Sequence, residues 1–372
     1  MSPTPEPDED DLDAIATPPP VFHVEQALLG ALLLEPHRFR DVTGIAADSF
    51  STAAHAALYS AISTLPPPDP DEHTKNTKWL DHVLTTARGQ ARALTAPYLH
   101  TLVQVCPWPR HAPAYARMVE AEHARRRLHK AAERLVRTVH DMSLPHPVQP
   151  VLDTADALTA VLDDIASRFP PHAGILPRTP APPPAPTPDH AEAVEEEQLL
   201  LATATAHPAN IESIRWLLPD DLTLPLHAGL WQCLNALARR GVPVDPVTVL
   251  WEAQQRGLFN GGGEPREVLR LLAEPAGSME YWAERALKRS LLATAEHTGR
   301  HIQAYASDPA NTPFQLVVGA RRSLADISAV RTRWQHATKT DPPQRQRPTA
   351  PTRAGPPTTT AAHNARPTRA TR

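Results

Sequence analysis

The sequence predicts an all-α protein made of two tandem helical modules, each a globular helical head followed by an antiparallel helical hairpin. The first observation is a repeat: residues 24–65 align with residues 196–237 at a constant offset of 172, without a gap. The second is that apolar residues recur at helical spacing. The third is that aromatic residues make up only 5% of the chain, which leaves Leu and Ala to build the cores and favours helices over sheets.

Length and composition give the outer plan. A chain of 372 residues with 43 prolines, most of them clustered, predicts two modules joined and flanked by linkers and tails. Both ends lack apolar periodicity, so we expect both to be disordered. The expected segments are a disordered acidic, Pro-rich N-terminus at 1–20, a first module at 21–169, a Pro-rich linker at 170–189, a second module at 190–335 and a disordered basic, Pro/Thr-rich tail at 336–372.

The first head begins with a helix at residues 22–35, and Gly30 within it should allow close packing against a neighbour. A second helix turns Phe39 and Val42 inward, and a third follows at residues 52–64 with an apolar stripe on one side. The same order recurs in the second head. Gln198, His227 and Trp231 there occupy the positions that Gln26, His55 and Tyr59 have in the first copy.

The two heads differ after the third helix. Residues 66–78 of the first copy form a polar, proline-rich interruption. The second copy instead has a turn in which Asp245 should cap a helix that begins at Pro246 and continues to Arg256. Further helical segments are expected at residues 79–88 and 98–105 of the first copy and at residues 266–273 of the second.

Each copy ends in two long apolar stripes with a break between them, which is typical of an antiparallel helical hairpin. In copy one the stripes are Leu128, Ala132, Leu135, Val139 and Met142, then Val151, Ala155, Leu158, Leu162 and Ile165, with a break at residues 143–149. In copy two they are Leu287, Leu291, Thr294, Thr298 and Ile302, then Val317, Ala320, Leu324, Ile327 and Trp334, with a break at residues 307–313.

The first hairpin helix carries the most strongly charged surface of the chain. Its basic residues include Arg125, Arg126, Arg127, Lys130 and Arg134. Such a surface can contact nucleic acid through phosphates, dock on an acidic protein surface (including this chain's own acidic amino terminus) or simply face water. The basic tail adds a second possible contact with nucleic acid. The arginine cluster is absent from the second copy, so the two modules are expected to differ in role.

Four histidines need an interpretation. His297 and His301 are four residues apart and could share one helix face, but a metal site needs further ligands that the sequence does not show. His55 and His227 occupy equivalent places in the two repeats. We expect them to be structural, each with a hydrogen-bonded ring nitrogen, because no nucleophile is arranged beside them.

No other pattern predicts chemistry. The run Glu195, Glu196 and Glu197 is expected at a helix start, where carboxylates favour the helix dipole. The chain has no phosphate-binding loop ending in Gly-Lys-Ser/Thr, and its one glycine cluster, at residues 261–263, is followed by Glu-Pro-Arg. We therefore expect no catalytic residues, no cofactor and no bound metal. A hidden enzyme site between the modules is a weaker alternative for which no residue can be named.

The two cysteines, Cys106 and Cys233, lie far apart in a chain with no signal-peptide pattern. This indicates a reducing, cytoplasmic location. No apolar run approaches the length of about 20 residues that crosses a bilayer, so we expect no membrane association.

These motifs together resemble the amino-terminal domain of the bacterial replicative helicase DnaB. The resemblance rests on the order and spacing of Glu25-Gln26, Gly30, Pro36, Phe50, His55, Leu58-Tyr59, Ile62, Tyr115-Ala116, Val119 and Arg126-Arg127-Leu128 in copy one. In copy two it rests on Gly241 to Leu250. Two departures stand out: Ala202 replaces the glycine of copy one, and the helicase motor is missing.

The resemblance implies a domain that performs no chemistry itself but assembles the collar of a helicase ring and contacts primase and loader proteins. The leading hypothesis is therefore a non-enzymatic scaffold or regulator of replication that docks on replicative helicase, primase or both. Its hairpins should pair with each other within the chain or between copies. A nucleic-acid-binding accessory protein is the alternative. The candidate partner-binding residues are Arg125, Arg126, Arg127, Lys130, Arg134, Leu135, Leu158, Leu291 and Leu324.

Overall fold

The computed structural model describes residues 18–170, 179–180, 182–183, 190–260 and 264–339. The predicted all-α class is confirmed, and no β-strand occurs within these ranges. The predicted disorder of residues 1–17 and of the tail from residue 340 lies outside the described residues, as do most of the predicted linker and the glycine cluster at 261–263.

The first head has the predicted order of helices, and most of them lie within two residues of their expected bounds. Its helices are α1 (Pro20–Leu34), α2 (Ala53–Thr64), α3 (Pro70–His73), α4 (Lys78–Arg88) and α5 (Ala96–Val105). The predicted second helix is a 3₁₀ turn, Pro36–Asp41, which still buries Val42 just beyond it. Within the expected interruption only the four-residue α3 forms, starting at its proline with Asp69 as the cap.

Gly30 explains how α1 fits into this head. A β-carbon at this position would lie 2.0 Å from the carbonyl oxygen of Leu102 and 2.9 Å from the β-carbon of Cys106, both at the far end of α5. No side chain larger than hydrogen fits there unless the helices move apart. The expected close approach is therefore present, and its partner is α5.

The second head consists of α8 (His190–Ala206), α9 (Pro225–Arg240), α10 (Pro246–Gln255) and α11 (Pro265–Leu271). Asp245 caps α10 as predicted, since its carboxylate accepts hydrogen bonds from the backbone N–H groups of Val247 and Thr248. Gly241 ends α9 in the left-handed conformation (φ 64°), and the next N–H bonds back to the carbonyl of Leu237. This close turn sets the direction of α10.

The two hairpins are long and regular. The first consists of α6 (Ala112–Val139) and α7 (Val148–Arg168), and the second of α12 (Met279–Ser307) and α13 (Pro313–Lys339). Met142 was predicted on the apolar stripe, but α6 ends three residues earlier and the Met142 side chain is 95% exposed in the connecting loop. The last helix continues past the expected module end at residue 335.

The hairpins pack against each other as four helices, with α6 against α12 and α7 against α13. Ala132 and Gly299 meet at the α6–α12 crossing, and each lies 20 residues beyond the first residue of its helix. A β-carbon on Gly299 would lie 3.2 Å from the carbonyl oxygen of Ala132 and 2.6 Å from a methyl group of Val136. The crossing therefore joins equivalent points of the two copies, as a pseudo-twofold arrangement requires.

The boundary between the two hydrophobic cores does not coincide with the boundary between the two modules. The first head has its own core, formed by α1, α2, α4, α5 and the start of α6. The rest of α6 and all of α7 share one continuous core with the second head and its hairpin. Its largest fully buried side chain is Trp231, and hairpin residues such as Leu162 and Leu291 belong to the same cluster. Removing the second module would therefore expose the inner face of the first hairpin.

Candidate protein-interaction surfaces

Arg125 joins the first hairpin to the end of the second. Its guanidinium donates hydrogen bonds to the carbonyl oxygens of Asp308 at 2.6 Å and Asn311 at 2.7 Å, in the loop between α12 and α13. Longer contacts reach the carbonyls of Ala306 and Pro309. Free carbonyls at the carboxyl end of a helix attract a cation. Arg125 therefore serves as an intramolecular clamp on the end of α12.

The next two arginines are also engaged within the chain. Arg126 donates to the carbonyl oxygen of Ser49 at 2.7 Å and so connects α6 to the first head. Arg127 bonds to Asp164 of α7 at 2.5 Å, and this hydrogen bond holds the pKa of the aspartate below its ordinary value. All three members of the predicted basic cluster thus make internal contacts.

Lys130 and Arg134 are placed differently, because both are exposed on the outer side of α6. Arg134 lines an open groove of about 390 Å³ between α6 and α7, together with Arg137 and Thr138. The opposite wall is formed by α7 residues, and Leu158 contributes to it. This groove presents the positive charge of two arginines beside apolar surface, with the carboxylate of Asp153 on the α7 wall, and no residue of the second hairpin lines it.

The four predicted leucines face inward. Leu135, Leu158 and Leu291 are fully buried and Leu324 is nearly so. They belong to the shared core in which the two hairpins meet. Their contacts are therefore supplied by the same chain. Their predicted role in binding a second molecule stays a prediction, and in this conformation a partner could reach them only if the hairpins separated.

Ion pairs at the rim of the four helices set the orientation of the hairpins. Arg331 of α13 forms a two-pronged pair with Asp156 of α7, at 2.7 and 2.6 Å. This hydrogen bonding lowers the pKa of Asp156. Two turns further along α7, Arg321 pairs with Asp163 at 2.8 Å. Because two arginines of α13 pair with two aspartates of α7, a shift of one helix along the other would break both ion pairs. The pairs therefore favour a single register.

Each head contains a buried Glu–His pair that the sequence analysis did not identify as a pair. In the first head, His55 Nδ1 lies 2.6 Å from Glu25 Oε2. In the second, His227 Nδ1 lies 2.7 Å from Glu197 Oε2. All four side chains are at most 1% exposed. The repeat offset of 172 relates both members, and that signal could have found them.

The carboxylates of these pairs also hold the chain that precedes α2 and α9. Glu25 accepts from the backbone N–H of Ser51 at 2.6 Å, and Glu197 accepts from that of Thr223 at 2.7 Å. In the first head His55 Nε2 also lies 2.7 Å from the Tyr98 hydroxyl. The expected structural role of the histidines, with bonded ring nitrogens, agrees with this geometry. The pairs tie three segments of each head together.

The prediction that Glu195, Glu196 and Glu197 lie at a helix start is wrong. Helix α8 begins at His190, so these residues lie in its interior rather than in its first turn. Glu196 is buried and paired with Arg285 and Arg289 of α12. The glutamates therefore act through specific partners, while Glu195 alone faces solvent.

The remaining histidine hypothesis concerned metal binding. His297 and His301 do lie along one side of α12, with ring centroids 5.8 Å apart and ring planes tilted by 48°. His301 is also packed on Tyr305 and lies near Ser323, and burial lowers its pKa. No group of three or more metal-ligating side chains occurs within the described ranges.

Both heads also carry exposed apolar residues that the sequence did not predict. On the first head, Val105 and Trp108 stand out, together with Met118 on α6. On the second head, Val247 and Trp251 share one side of α10. Helical periodicity predicts an inward stripe but does not predict which outward residues are apolar, so only the structure could locate them.

Comparison with known families agrees with the repeated fold. The chain matches the DnaB-like helicase N terminal domain twice, over residues 17–121 and 189–286. These ranges cover more than half of the 372 residues. The chain belongs to the DnaB-like helicase N-terminal domain family. Each match spans one head and the start of the long helix that follows it, so the duplication is of the family's own domain.

Family membership indicates a helicase-associated role related to DNA replication. The matched family describes the non-catalytic part of that helicase. No curated protein and no solved structure matches the chain. Among the described residues, no helix of this DnaB-like protein is long and apolar enough to cross a membrane.

Proposed function

We propose that this DnaB-like protein is a non-enzymatic scaffold or regulator of DNA replication that docks on the replicative helicase, on primase or on both. The observation that supports this proposal most is the pairing of two helicase N-terminal domains within one polypeptide, hairpin against hairpin. Two DnaB-like domains held in this way resemble a preassembled pair of subunits without a motor. Such a unit can occupy a place beside a helicase or compete for a protein that binds these domains.

Docking is assigned to the outer face of the first hairpin. Arg125, Arg126 and Arg127 bind internal acceptors, which leaves Lys130 and Arg134 as the exposed members of the predicted set. Arg134 lines the open groove between α6 and α7, whose wall includes Leu158, and Lys130 lies one turn earlier on α6. A partner that fits would present carboxylates beside a small apolar side chain, because charges at the rim guide the encounter and apolar contact adds affinity.

The experiment measures binding of the purified full chain to the helicase and to the primase of the source cell, by biolayer interferometry. We expect at least one of them to bind. Reversing both exposed charges, Lys130→Glu with Arg134→Glu, should weaken that binding at least tenfold. Arg215→Glu is the matched control, because Arg215 is exposed on the second head and pairs only with a neighbour three residues away. Absence of binding to both proteins would refute the proposal, and equal weakening by the control would refute the assigned face.

Internal pairing of the hairpins also predicts the state of the chain in solution. Size-exclusion chromatography with light scattering should give a monomer of about 41 kDa. The physical reason is that each hairpin already has its partner and its leucines are covered. A dimer that dissociates only when the hairpins are mutated would show that they pair between chains instead.

Nucleic-acid binding is the second candidate function. It is favoured by the exposed basic row Lys130, Arg134 and Arg137 on α6. Three phosphate contacts on duplex DNA should give a slope of about −3 when the logarithm of the binding constant is plotted against that of the salt concentration. A mobility-shift titration tests this, and no shift at low salt removes the candidate.

A further inference from the structure

The first head has a basic surface on which the described arginines lack carboxylate partners. Residues 82–119 contain four arginines and three histidines but neither Asp nor Glu. The arginines are Arg88, Arg92, Arg110 and Arg117, and all four are exposed. Within the part of the chain that the structure describes, none of them lies within 4.0 Å of a carboxylate oxygen. Most of the other surface arginines discussed above have such a partner, so this surface is electrostatically open.

An apolar strip runs through the same surface. The outward residues of α5 and the turn after it form what we call the α5 face: Pro97, His100, Thr101, Gln104, Val105 and Trp108. Trp108 is 55% exposed and Val105 is 44% exposed. The guanidinium of Arg110 lies over the Trp108 ring, 4.9 Å from its centroid. An exposed tryptophan held beside an arginine is typical of the centre of a binding surface.

The amino-terminal segment of the same chain complements this surface. It carries six carboxylates between Glu6 and Asp13, and no Lys or Arg occurs before α1. Leu12 and Ile15 add two apolar side chains among and just after these charges. The charge signs are therefore opposite, and both surfaces combine charge with apolar contact.

The path from this segment to the α5 face is short. Helix α1 passes the first turn of α5 at Gln26, its seventh residue, whose side-chain amide lies 3.5 Å from the Tyr98 hydroxyl. The first residue of α1, Pro20, therefore lies about 9 Å before this contact. Helix α5 has ten residues and is about 15 Å long. The carboxylates lie five to twelve residues before Pro18, and an extended chain of that length spans up to about 17–40 Å. The carboxylates nearer α1 can therefore reach Arg92, and those from Glu6 to Asp10 can extend as far as Arg110.

We propose that residues 6–13 dock on the α5 face of the same chain, with the carboxylates nearer α1 beside Arg92 and the more distant ones beside Arg110 and Trp108. Surface ion pairs are individually weak. Tethering compensates, because a covalent connection within one chain raises the effective concentration of the segment at this face. The docked segment covers the exposed tryptophan, so any acidic partner of this face has to displace it. This contact is independent of the proposed docking on helicase or primase.

Carbodiimide cross-linking of the full chain tests the proposal. Arg110→Lys keeps the positive charge at an exposed position and introduces an amine that can form an amide with a carboxylate. We expect mass spectrometry to find a cross-link between residues 6–13 and the new lysine at position 110, and 1 M salt to reduce its yield at least fivefold. Arg134→Lys on the distal hairpin is the matched control, and the native Lys130 is an internal one. Neither should be cross-linked to the acidic segment.

Two further measurements keep the outcome unambiguous. A mixture of isotopically labelled and unlabelled chains should give only cross-links within one isotope population, whereas mixed cross-links would assign the segment to a second copy and overturn the proposal. Replacing the six carboxylates by amides should increase hydrogen exchange at residues 104–111 and leave α10 unchanged. An unchanged exchange rate would also overturn it. So would a missing cross-link accompanied by binding of single-stranded DNA that Arg110→Glu abolishes, since that result would assign the face to nucleic acid.

Discussion

Replacing Arg125 by alanine should loosen the contact between the two hairpins. The side chain is 15% exposed and donates to two backbone carbonyls at 2.6 and 2.7 Å in the loop that follows α12. Each is a charge-assisted hydrogen bond, a class that contributes about 1.5–3 kcal/mol. The freed carbonyls lie near the surface and regain water, which offsets part of the loss. We expect Arg125→Ala to lower the free energy of unfolding by about 2–4 kcal/mol.

The assay is urea unfolding of the full chain, combined with hydrogen exchange at residues 306–312. Arg125→Lys should recover part of the loss, because one ammonium group cannot reproduce the planar fork of the guanidinium. Arg134→Ala is the control on the same helix, where an exposed side chain should change stability by less than about 0.5 kcal/mol. The reasoning fails if Arg125→Ala matches the wild type in both measurements. Loss of partner binding without loss of stability would instead support the role predicted from sequence.

Three further outcomes follow from the packing. Gly30→Ala places a methyl group 2.0 Å from a backbone carbonyl of α5, so thermal unfolding should show a loss of about 2 kcal/mol or more. Glu197→Ala removes the partner of a buried histidine and should cost about 3–5 kcal/mol in chemical denaturation, whereas Glu195→Ala on the exposed side of the same helix should be neutral. Because Arg331 holds the folded-state pKa of Asp156 below its unfolded value, their pair should contribute fully above about pH 4 and be lost as the pH falls through the folded pKa. Asp156→Asn should therefore be less stable than wild type at pH 7, by less than about 1 kcal/mol because the aspartate is mostly exposed, and the difference should vanish in acid.

The heads were largely predictable from the sequence because their signals are local. The repeat offset, the prolines at helix starts and the Asp245 cap all act within a few residues, and the helices lie close to their expected places. The errors are local too. The expected second helix is a 3₁₀ turn, and of its six residues only Pro36 is buried, so little tertiary packing supports a longer helix. Met142 lies outside the apolar stripe because α6 ends at Val139.

The position and partner of Glu197 could not be predicted from local sequence signals. A run of three glutamates has the same composition at a helix start and in a helix interior. The burial of Glu197 depends on His227, which is 30 residues away, and the pairing of Glu196 depends on α12. Contacts at this separation are fixed only when the helices pack, since each carboxylate is buried only where a donor meets it.

The sequence alone determined that the chain is all-α, that a head and hairpin occur twice and that the leucine stripes must be covered by something. Only the tertiary structure decided what covers them, which is the other hairpin of the same chain. It also decided that Arg125 clamps a helix end while Lys130 and Arg134 face solvent. The physical reason is that an apolar stripe specifies burial without specifying a partner, and a basic residue specifies charge without specifying an acceptor.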